Sequence, residues 1–231
     1  IGPEPVIMTR DKSGSLHLLH NRCPHRGNRV CMQAQGNARS FTCPYHGWTF
    51  ANDGQLKGYP FPSGYEGVDR GTLGLGRVAR VASYRGFVFG SLAPQGISLQ
   101  EHLGAAMKSL DALCDTSPAG QVEITAGFLK HKVRSNWKFL VENETDGYHP
   151  SFVHASIFEV AQSGIGSLYS SESTAVSRDF GNGHTENDLR PEFRKRGQPL
   201  SWFGTTPDKL PDYVARMNAA YGEDKARQIM I

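Results

Sequence analysis

The sequence predicts an α+β fold in two parts, a β-rich first hundred residues followed by a mixed helix-and-strand segment. Three observations carry that prediction. Gly and Pro number 26 and 13 of 231 residues, about 17% against an ordinary share of roughly 12%, which implies many short elements joined by turns. Short runs of strand character bounded by turn residues recur up to residue 93. Helical spacing of apolar residues then sets in at 98, which puts the boundary near 97 and the parts at 1–97 and 98–231.

Each element follows in order. VIMTRD (6–11) and LHLLHNR (16–22) flank Lys12-Ser13-Gly14-Ser15 and suit a hairpin. RSFTC (39–43) and WTFA (48–51) read as strands, and Asn52-Asp53-Gly54 is a turn signal. RVARVASYRGFVFGSLA (77–93) reads as two strands around Arg85-Gly86. Leu99, Leu103, Met107, Leu110 and Leu113 make 98–114 one helix, with Ser98 as its N-cap. Val122, Ile124, Ala126 and Phe128 alternate, so 122–134 reads as a strand, while NWKFLVENETDGYH (136–149) reads as largely helical. A strand is expected over 168–180, and a helical segment over 207–230, interrupted before Pro211 and at Gly222. There is no internal repeat and no low-complexity linker.

Composition narrows the function classes. Hydrophobic residues at 38% and charged residues at 20% give a globular balance. No run approaches the ~18 apolar residues of a membrane span. Lys plus Arg number 25 against 22 Asp plus Glu, a net +3. The charges are dispersed, which argues against a nucleic-acid partner. RPEFRKRG (190–197) is the one basic cluster and reads as a solvated loop. IGPEPVIMTRD lacks the regions of a signal peptide and an initiator Met. The expectation is a cytoplasmic protein whose chain starts inside a longer one. In such a chain Cys23, Cys31, Cys43 and Cys114 point to metal or redox use before a disulfide framework. Cys31 and Cys114 read as inert core thiols.

Cys23-Pro24-His25 and Cys43-Pro44-Tyr45-His46 form the pattern C-x-H-x17-C-x2-H. Each half offers a soft thiolate and an imidazole within a tight turn. Four such groups suit a tetrahedral zinc, or a two-iron cluster with Cys on one iron and His on the other. A Pro after each Cys and a Gly soon after each His shape two loops able to close over an inorganic core.

NRCPHRG (21–27) and CPYHGWTF (43–50) resemble the two cluster loops of Rieske [2Fe–2S] proteins, and more narrowly of Rieske non-haem iron ring-hydroxylating oxygenases. Respiratory Rieske proteins add one Cys per loop, joined as a disulfide; here Tyr45 stands at the second such position, and Trp48 fits the oxygenase form. The resemblance implies that Cys23, His25, Cys43 and His46 hold the cluster.

The second constellation, Glu142-Asn143-Glu144-Thr145-Asp146-Gly147-Tyr148-His149-Pro150-Ser151-Phe152-Val153-His154, packs three carboxylates and two imidazoles into thirteen positions. Asp146 and His149 stand at i and i+3, neighbours on a helix face, where the carboxylate can accept from the imidazole and fix its tautomer. His149 and His154 would lie about 140° apart on an unbroken helix. Pro150 breaks or restarts the helix and lets them converge. Two His and one carboxylate form the facial triad of non-haem iron.

NWKFLVENETDGYHPSFVH (136–154) is similar to the NWK…EN…D-x-Y-H-x4-H segment of the same oxygenases. The resemblance implies His149 and His154 as ligands of a mononuclear Fe(II), and a third ligand, an Asp, beyond residue 231. It implies Asp146 as a bridging carboxylate that links an iron-ligand His to a Rieske His, here His46, of the neighbouring subunit. Glu142 and Glu144 read as helix-surface charge, and Asn143 and Tyr148 as pocket or packing residues. The short E-N-x-x-D-G-Y-H spacing resembles the benzoate, anthranilate and salicylate branch, as does FGNGHTENDLRP (180–191). Val153, Phe158, Val160 and Ile165 are apolar residues that could contact a ring.

The implied fold is a β-rich Rieske domain followed by a helix-grip antiparallel sheet, incomplete in this chain. The implied activity is that of a terminal oxygenase, mono- or dihydroxylating an aromatic ring with dioxygen in aromatic catabolism. Electrons come from NADH through a reductase, with or without a ferredoxin, and pass by way of His46, Asp146 and His149. The implied assembly is a homotrimer or an α3β3 complex. Two alternatives stay open: a non-catalytic Rieske electron carrier and a zinc-stabilised binding module.

Overall fold

The computed structural model describes residues 1–124, 127, 129, 131–156, 174–201 and 204–231. It divides into two compact units, Ile1–Leu99 and Gln100–Ile231.

The first unit is built of short antiparallel pairs. β1 (Val6–Arg10) and β2 (Leu16–His20) run in register from Val6 opposite His20 to Arg10 opposite Leu16. The Asp11 carboxylate organises their turn, accepting from Ser13 N–H at 2.9 Å, Ser15 N–H at 3.0 Å, the Ser13 hydroxyl at 2.6 Å and His17 Nε2 at 2.8 Å. The hydroxyl of Ser13 and then His17 hold that carboxyl far below the usual range. Residues 76–78 lie along the free edge of β2, with His20 N–H donating to Gly76 O at 2.7 Å and Val78 N–H to Leu18 O at 2.8 Å.

β3 (Ser40–Thr42), β4 (Thr49–Ala51) and β5 (Leu56–Gly58) form a three-stranded sheet in that order. The turn between β4 and β5 falls at the expected Asn52-Asp53-Gly54, where Asp53 Oδ1 accepts from Gln55 N–H at 2.9 Å. Gly54 has φ +90°, and a Cβ there would stand 2.8 Å from Leu19 Cδ2. Backbone conformation and close packing therefore both demand glycine. β6 (Arg80–Tyr84) and β7 (Phe87–Ser91) pair across Arg85 and Gly86, both left-handed at φ 50° and 89°, which matches the twist of a two-residue hairpin. Leu19 and Phe50, fully buried and from separate sheets, centre a core that includes Ile7, Val30, Trp48, Leu75 and the sulfurs of Cys23 and Cys43.

The second unit contains α1 (Leu99–Leu103), α2 (Met107–Asp115), α3 (Trp137–Thr145) and α4 (Pro150–Val153). After these come the hairpin β8 (Val176–Gly181) and β9 (His184–Asp188), then α5 (Arg190–Arg196), α6 (Pro211–Tyr221) and α7 (Glu223–Met230). Leu200, Met217, Ala226 and Met230 form its buried core. Tyr213 and Tyr221 on α6 donate to Thr116 O at 2.6 Å and Ser117 O at 2.9 Å, tying α6 to the end of α2.

Three sequence expectations need correction. The single helix over 98–114 is split, because Gly104 at φ +49° leaves the helical region and a short 3₁₀ turn separates α1 from α2. The strand expected over 122–134 is absent at its described positions, and Ile124 is exposed. The alternation of Ala126 and Phe128 lies outside the described residues. The segment 136–149 is largely helical, with the helix covering Trp137–Thr145 and stopping short of Asp146. RPEFRKRG is a helix and not a loop: Pro191 stands in its first turn, and Gly197 at φ 66° closes it. Of the strand expected over 168–180, β8 begins at Val176 and residues 168–173 lie outside the described residues. Among the described residues the sheet of this unit is the two-stranded β8–β9 hairpin.

An ionic network ties that hairpin to its neighbours. Arg178 Nη1 donates to Glu186 Oε2 at 3.2 Å and to Asp188 Oδ2. Arg190 Nε donates to Asp188 Oδ1 at 2.6 Å, and its Nη2 reaches both Glu186 oxygens at 3.0 and 3.1 Å. The Ser109 hydroxyl adds a bond to Glu186 Oε1 at 2.8 Å. Burial alone would push the Asp188 carboxyl up; the bonds from Arg190 and Arg178 outweigh it and hold the group at about 2. A carboxyl depressed in the folded state stabilises it above the ordinary pKa of about 4, and the contribution disappears as pH falls towards 2. Thermal unfolding of Asp188→Asn should therefore lie below wild type at pH 6, with the gap narrowing steadily from pH 4 to pH 3. A gap independent of pH would remove Asp188 from the acid-sensitive network.

Candidate metal centres

Two loops of unit 1 share one hydrogen-bonding frame. In the first, Cys23 N–H donates to Asn28 O at 2.8 Å and Gly27 N–H to Cys23 O at 2.8 Å. In the second, Cys43 N–H donates to Trp48 O at 2.7 Å and Gly47 N–H to Cys43 O at 3.0 Å. Gly27 and Gly47 take matching left-handed φ angles of 74° and 70°. The frame turns two peptide N–H groups onto each sulfur: those of His25 and Arg26 onto Cys23, and those of Tyr45 and His46 onto Cys43. Pro at the position after each Cys has no N–H to place there, and its fixed φ helps to set the turn.

The loops face one another. Cys23 and Cys43 are buried and close enough to interact, and neither is in a disulfide. The rings of His25 and His46 meet edge to face, with centroids 4.6 Å apart. Burial, and then the neighbouring Cys43, pushes the Cys23 thiol up. Burial opposes ionisation of Cys43 too, but the N–H groups of Tyr45 and His46, Cys23 and Asn28 hold that thiol down. His25 is lowered by burial, then by His46 and Arg26.

The decisive feature is a pair of unsatisfied atoms. Nδ1 of His25 and Nδ1 of His46 are buried without a hydrogen-bond partner. An orphaned buried polar atom costs on the order of 1–3 kcal/mol, so two on facing rings are donors suited to a bound metal group. Two thiols and two imidazole Nδ1 atoms in facing loops fit a two-iron cluster with Cys on one iron and His on the other. A single zinc would need its donors drawn to about 2.0–2.3 Å of one point. Among the described residues no group of three or more His, Cys, Asp or Glu is gathered around a single ion position.

Aromatic packing and one buried amide support the loops. Trp48 is buried and stacks on His25 with ring centroids 5.1 Å apart and planes 3° from parallel. Behind it lie Tyr59 at 5.1 Å and Tyr65 at 5.5 Å, and Arg70 sits over the Tyr59 ring. Pro60 covers Gly47, 3.3 Å from where a Cβ would stand. Asn21 Oδ1 accepts from Val30 N–H at 2.9 Å and Cys31 N–H at 2.8 Å, and its Nδ2 donates to Cys31 O at 2.7 Å. Sequence reasoning did not single out Asn21, Tyr59 or Tyr65. The position of Asn21 two residues before Cys23 was the available signal; the tyrosines had none, since their contacts are not local. Cys114 is fully buried, whereas Cys31 is half-buried with its thiol near Gln33 O.

In unit 2, α3 starts where Asn136 caps Lys138 N–H at 3.1 Å and stops at Thr145. Asp146 is extended, and its carboxylate builds the bend: Oδ1 accepts from Tyr148 N–H at 2.6 Å and Oδ2 meets His149 Nδ1 at 3.0 Å. The expected contact between Asp146 and His149 is therefore made through an Asx turn and not along a helix face. Tyr148 N–H, and then His149 against the effect of burial, hold Asp146 below the usual range. Pro150 opens α4, and the rings of His149 and His154 come to 5.4 Å between centroids. With Nδ1 of His149 bonded to Asp146, its Nε2 is the nitrogen available to a metal. Glu142, Asn143, Glu144 and Tyr148 are exposed. Val153 is exposed as well, while Phe158, Val160 and Ile165 lie outside the described residues.

Residues 1–84 match the Rieske [2Fe-2S] domain family. Over 160 residues the chain is 42% identical to the 2-halobenzoate 1,2-dioxygenase large subunit of Burkholderia cepacia, covering 67% of this chain and 34% of that protein. Over 164 residues it is 43% identical to the anthranilate 1,2-dioxygenase large subunit of Acinetobacter baylyi, covering 70% and 35%. Among solved structures, naphthalene 1,2-dioxygenase from Rhodococcus sp. bound to indole superposes with a TM-score of 0.61 at 36% identity, covering 69% of this chain and 37% of that one. The chain thus spans about a third of the length of the curated relatives it matches.

Two outcomes follow from this geometry. Asn21→Leu should lower the stability of unit 1 by on the order of 3 kcal/mol, because it strands two N–H groups and a carbonyl. Asn21→Asp, which keeps both acceptor bonds, should cost less in chemical denaturation, and equal losses would refute the assignment. In Asp146→Asn a single amide oxygen cannot accept both bonds. Nitrogen-15 NMR should find His149 as the Nδ1–H tautomer in wild type and shifted towards Nε2–H in the variant.

Proposed function

We propose that the chain is part of the large subunit of a Rieske aromatic ring-hydroxylating oxygenase, a terminal oxygenase component that hydroxylates an aromatic ring. The observation that carries this reading is the pair of orphaned His25 and His46 Nδ1 atoms beside two buried thiols.

Cys23, His25, Cys43 and His46 would hold the cluster, which supplies single electrons at a potential raised by its two imidazole ligands. Ligation through Nδ1 keeps the proton of each imidazole on Nε2, where it can be donated to a carboxylate outside the loop. His149 and His154 would hold the mononuclear Fe(II), with a third carboxylate from a residue beyond 231, leaving sites for dioxygen. Asp146 orients His149 and retains an exposed edge, 45% accessible as a side chain, with which to meet a further donor. His46 of a neighbouring subunit is the proposed donor, in a homotrimer or α3β3 assembly.

The relatives act, by their names, on halobenzoate and anthranilate. Together with the short spacing before Asp146, this favours a benzoate-like aromatic carboxylate as substrate. The reducing equivalents would come from NADH through a reductase, with or without a ferredoxin, and the setting would be cytoplasmic. No helix among the described residues is long and apolar enough to cross a membrane. An electron carrier with no second metal would leave the Asp146–His149 bond and the convergence of His149 on His154 without a role.

Iron, acid-labile sulfide and zinc determinations with EPR on the reduced protein test the reading. The expected result is two cluster irons with two sulfides and a Rieske signal, all lost in Cys43→Ser. Zinc without sulfide would overturn the cluster. Cluster iron without any further Fe(II) bound on titration of the assembled full-length subunit would leave only the carrier.

A further inference from the structure

Asn28 and Trp48 occupy equivalent places in the repeated loop frame, since the carbonyl of each accepts the N–H of the cysteine five residues before it. Each sends its side chain across to the other loop. Trp48 lies on the His25 ring, and the amide of half-buried Asn28 reaches Cys43, with Nδ2 4.0 Å from Sγ. The same Nδ2 donates to Arg29 O at 2.9 Å, which fixes the amide and leaves its second hydrogen for the sulfur. The contact is long, so its effect is modest.

Peptide donors are shared evenly between the two thiols. Cys23 faces the N–H groups of His25 and Arg26, and Cys43 those of Tyr45 and His46. The Asn28 amide is therefore a third donor on one sulfur and not on the other. Holding the loop frame does not require it, because the frame uses only the carbonyl of Asn28.

We infer that Asn28 is a positioning residue that raises the reduction potential of the two-iron site, donating its amide N–H across the loops to the sulfur of Cys43. The inference rests on the cluster reading above and adds a residue that is not a ligand. Reduction by the reductase brings in one electron, which turns one Fe(III) into Fe(II) with no bond made or broken. Part of the added negative charge falls on the sulfurs. An N–H aimed at a sulfur stabilises that charge and so favours the reduced state.

The test is a spectroelectrochemical titration at pH 7 of the assembled full-length subunit as wild type, Asn28→Leu and Asn28→Asp. Leu is close in size and keeps the backbone bond to Cys23, but has no side-chain N–H. The reduction equilibrium should be about threefold to tenfold less favourable in Asn28→Leu, or about 30–60 mV at 59 mV per decade for one electron. Asn28→Asp, which replaces the donor with a carboxylate, should lie lower still. A potential unchanged in both variants, with the Rieske signal intact, would overturn the assignment and leave Asn28 as a brace for Arg29.

A second measurement needs no variant to fold. In wild type carrying nitrogen-15 at the asparagine side-chain amides, pulsed EPR of the reduced protein should show a weak nitrogen-15 coupling. If both variants lose the cluster, that coupling upholds the contact and its absence overturns it. A wild type with no Rieske signal overturns the cluster reading and this inference together, whereas a normal signal with an unmoved potential overturns the role of Asn28 alone.

Discussion

Everything in the first unit depends on keeping two imidazole nitrogens buried without partners from the protein, beside two buried thiols that accept peptide and amide N–H groups. Such atoms are costly to hold away from water, and the chain holds them by repeating one loop frame twice. In each loop a cysteine N–H reaches the carbonyl five residues on, and a glycine N–H returns to the cysteine carbonyl. The repeat is of backbone and not of side chains, because the histidine is the second residue after Cys23 but the third after Cys43. Even so, the two rings meet with their centroids 4.6 Å apart, and both Nδ1 atoms are buried. Trp48 behind His25, and Asn21 beneath the segment that leaves the first loop, remove the freedom that would allow either loop to collapse and satisfy those nitrogens.

The second unit handles a related requirement by a different device. Here the imidazoles need not be sealed, but one of them must present a chosen nitrogen. Asp146 does this by ending a helix. Its carboxylate spends one oxygen on Tyr148 N–H, which makes the bend, and the other on His149 Nδ1, which orients the ring. Pro150 then restarts the helix so that His154 comes round to the same side. A single carboxylate thus sets both backbone path and tautomer. The carboxylate network of Glu186 and Asp188 lies on the neighbouring hairpin, and β9 also contributes Thr185, whose hydroxyl meets that of Thr145 at 2.7 Å.

Much of this was legible in local sequence. The hairpins around Lys12–Ser15, Asn52–Gly54 and Arg85–Gly86 fall where turn chemistry places them, because a left-handed backbone needs residues that tolerate it. The paired Cys and His, and the run from Asp146 to His154, stood out because candidate ligand sets place particular residue types at short spacing. Errors arose where tertiary context outweighed pattern. Gly104 sits inside a good apolar periodicity yet breaks the helix, and RPEFRKRG looks like a solvated charge run yet forms a helix with both ends marked. The i, i+3 spacing of Asp146 and His149 was read as helical neighbourhood, although the same spacing is closed by a turn.

By itself the sequence determined which atoms can bind metal and the order in which they occur, since residue type and spacing are local properties. Only the tertiary structure decided that His25 and His46 meet edge to face with both Nδ1 atoms buried, that Asn21 and the stack of Trp48, Tyr59 and Tyr65 brace them, and that Asp146 works from a bend. Those features depend on groups far apart in the chain being packed together. Burial, which turns an ordinary imidazole nitrogen into an unsatisfied one, exists only once that packing is complete.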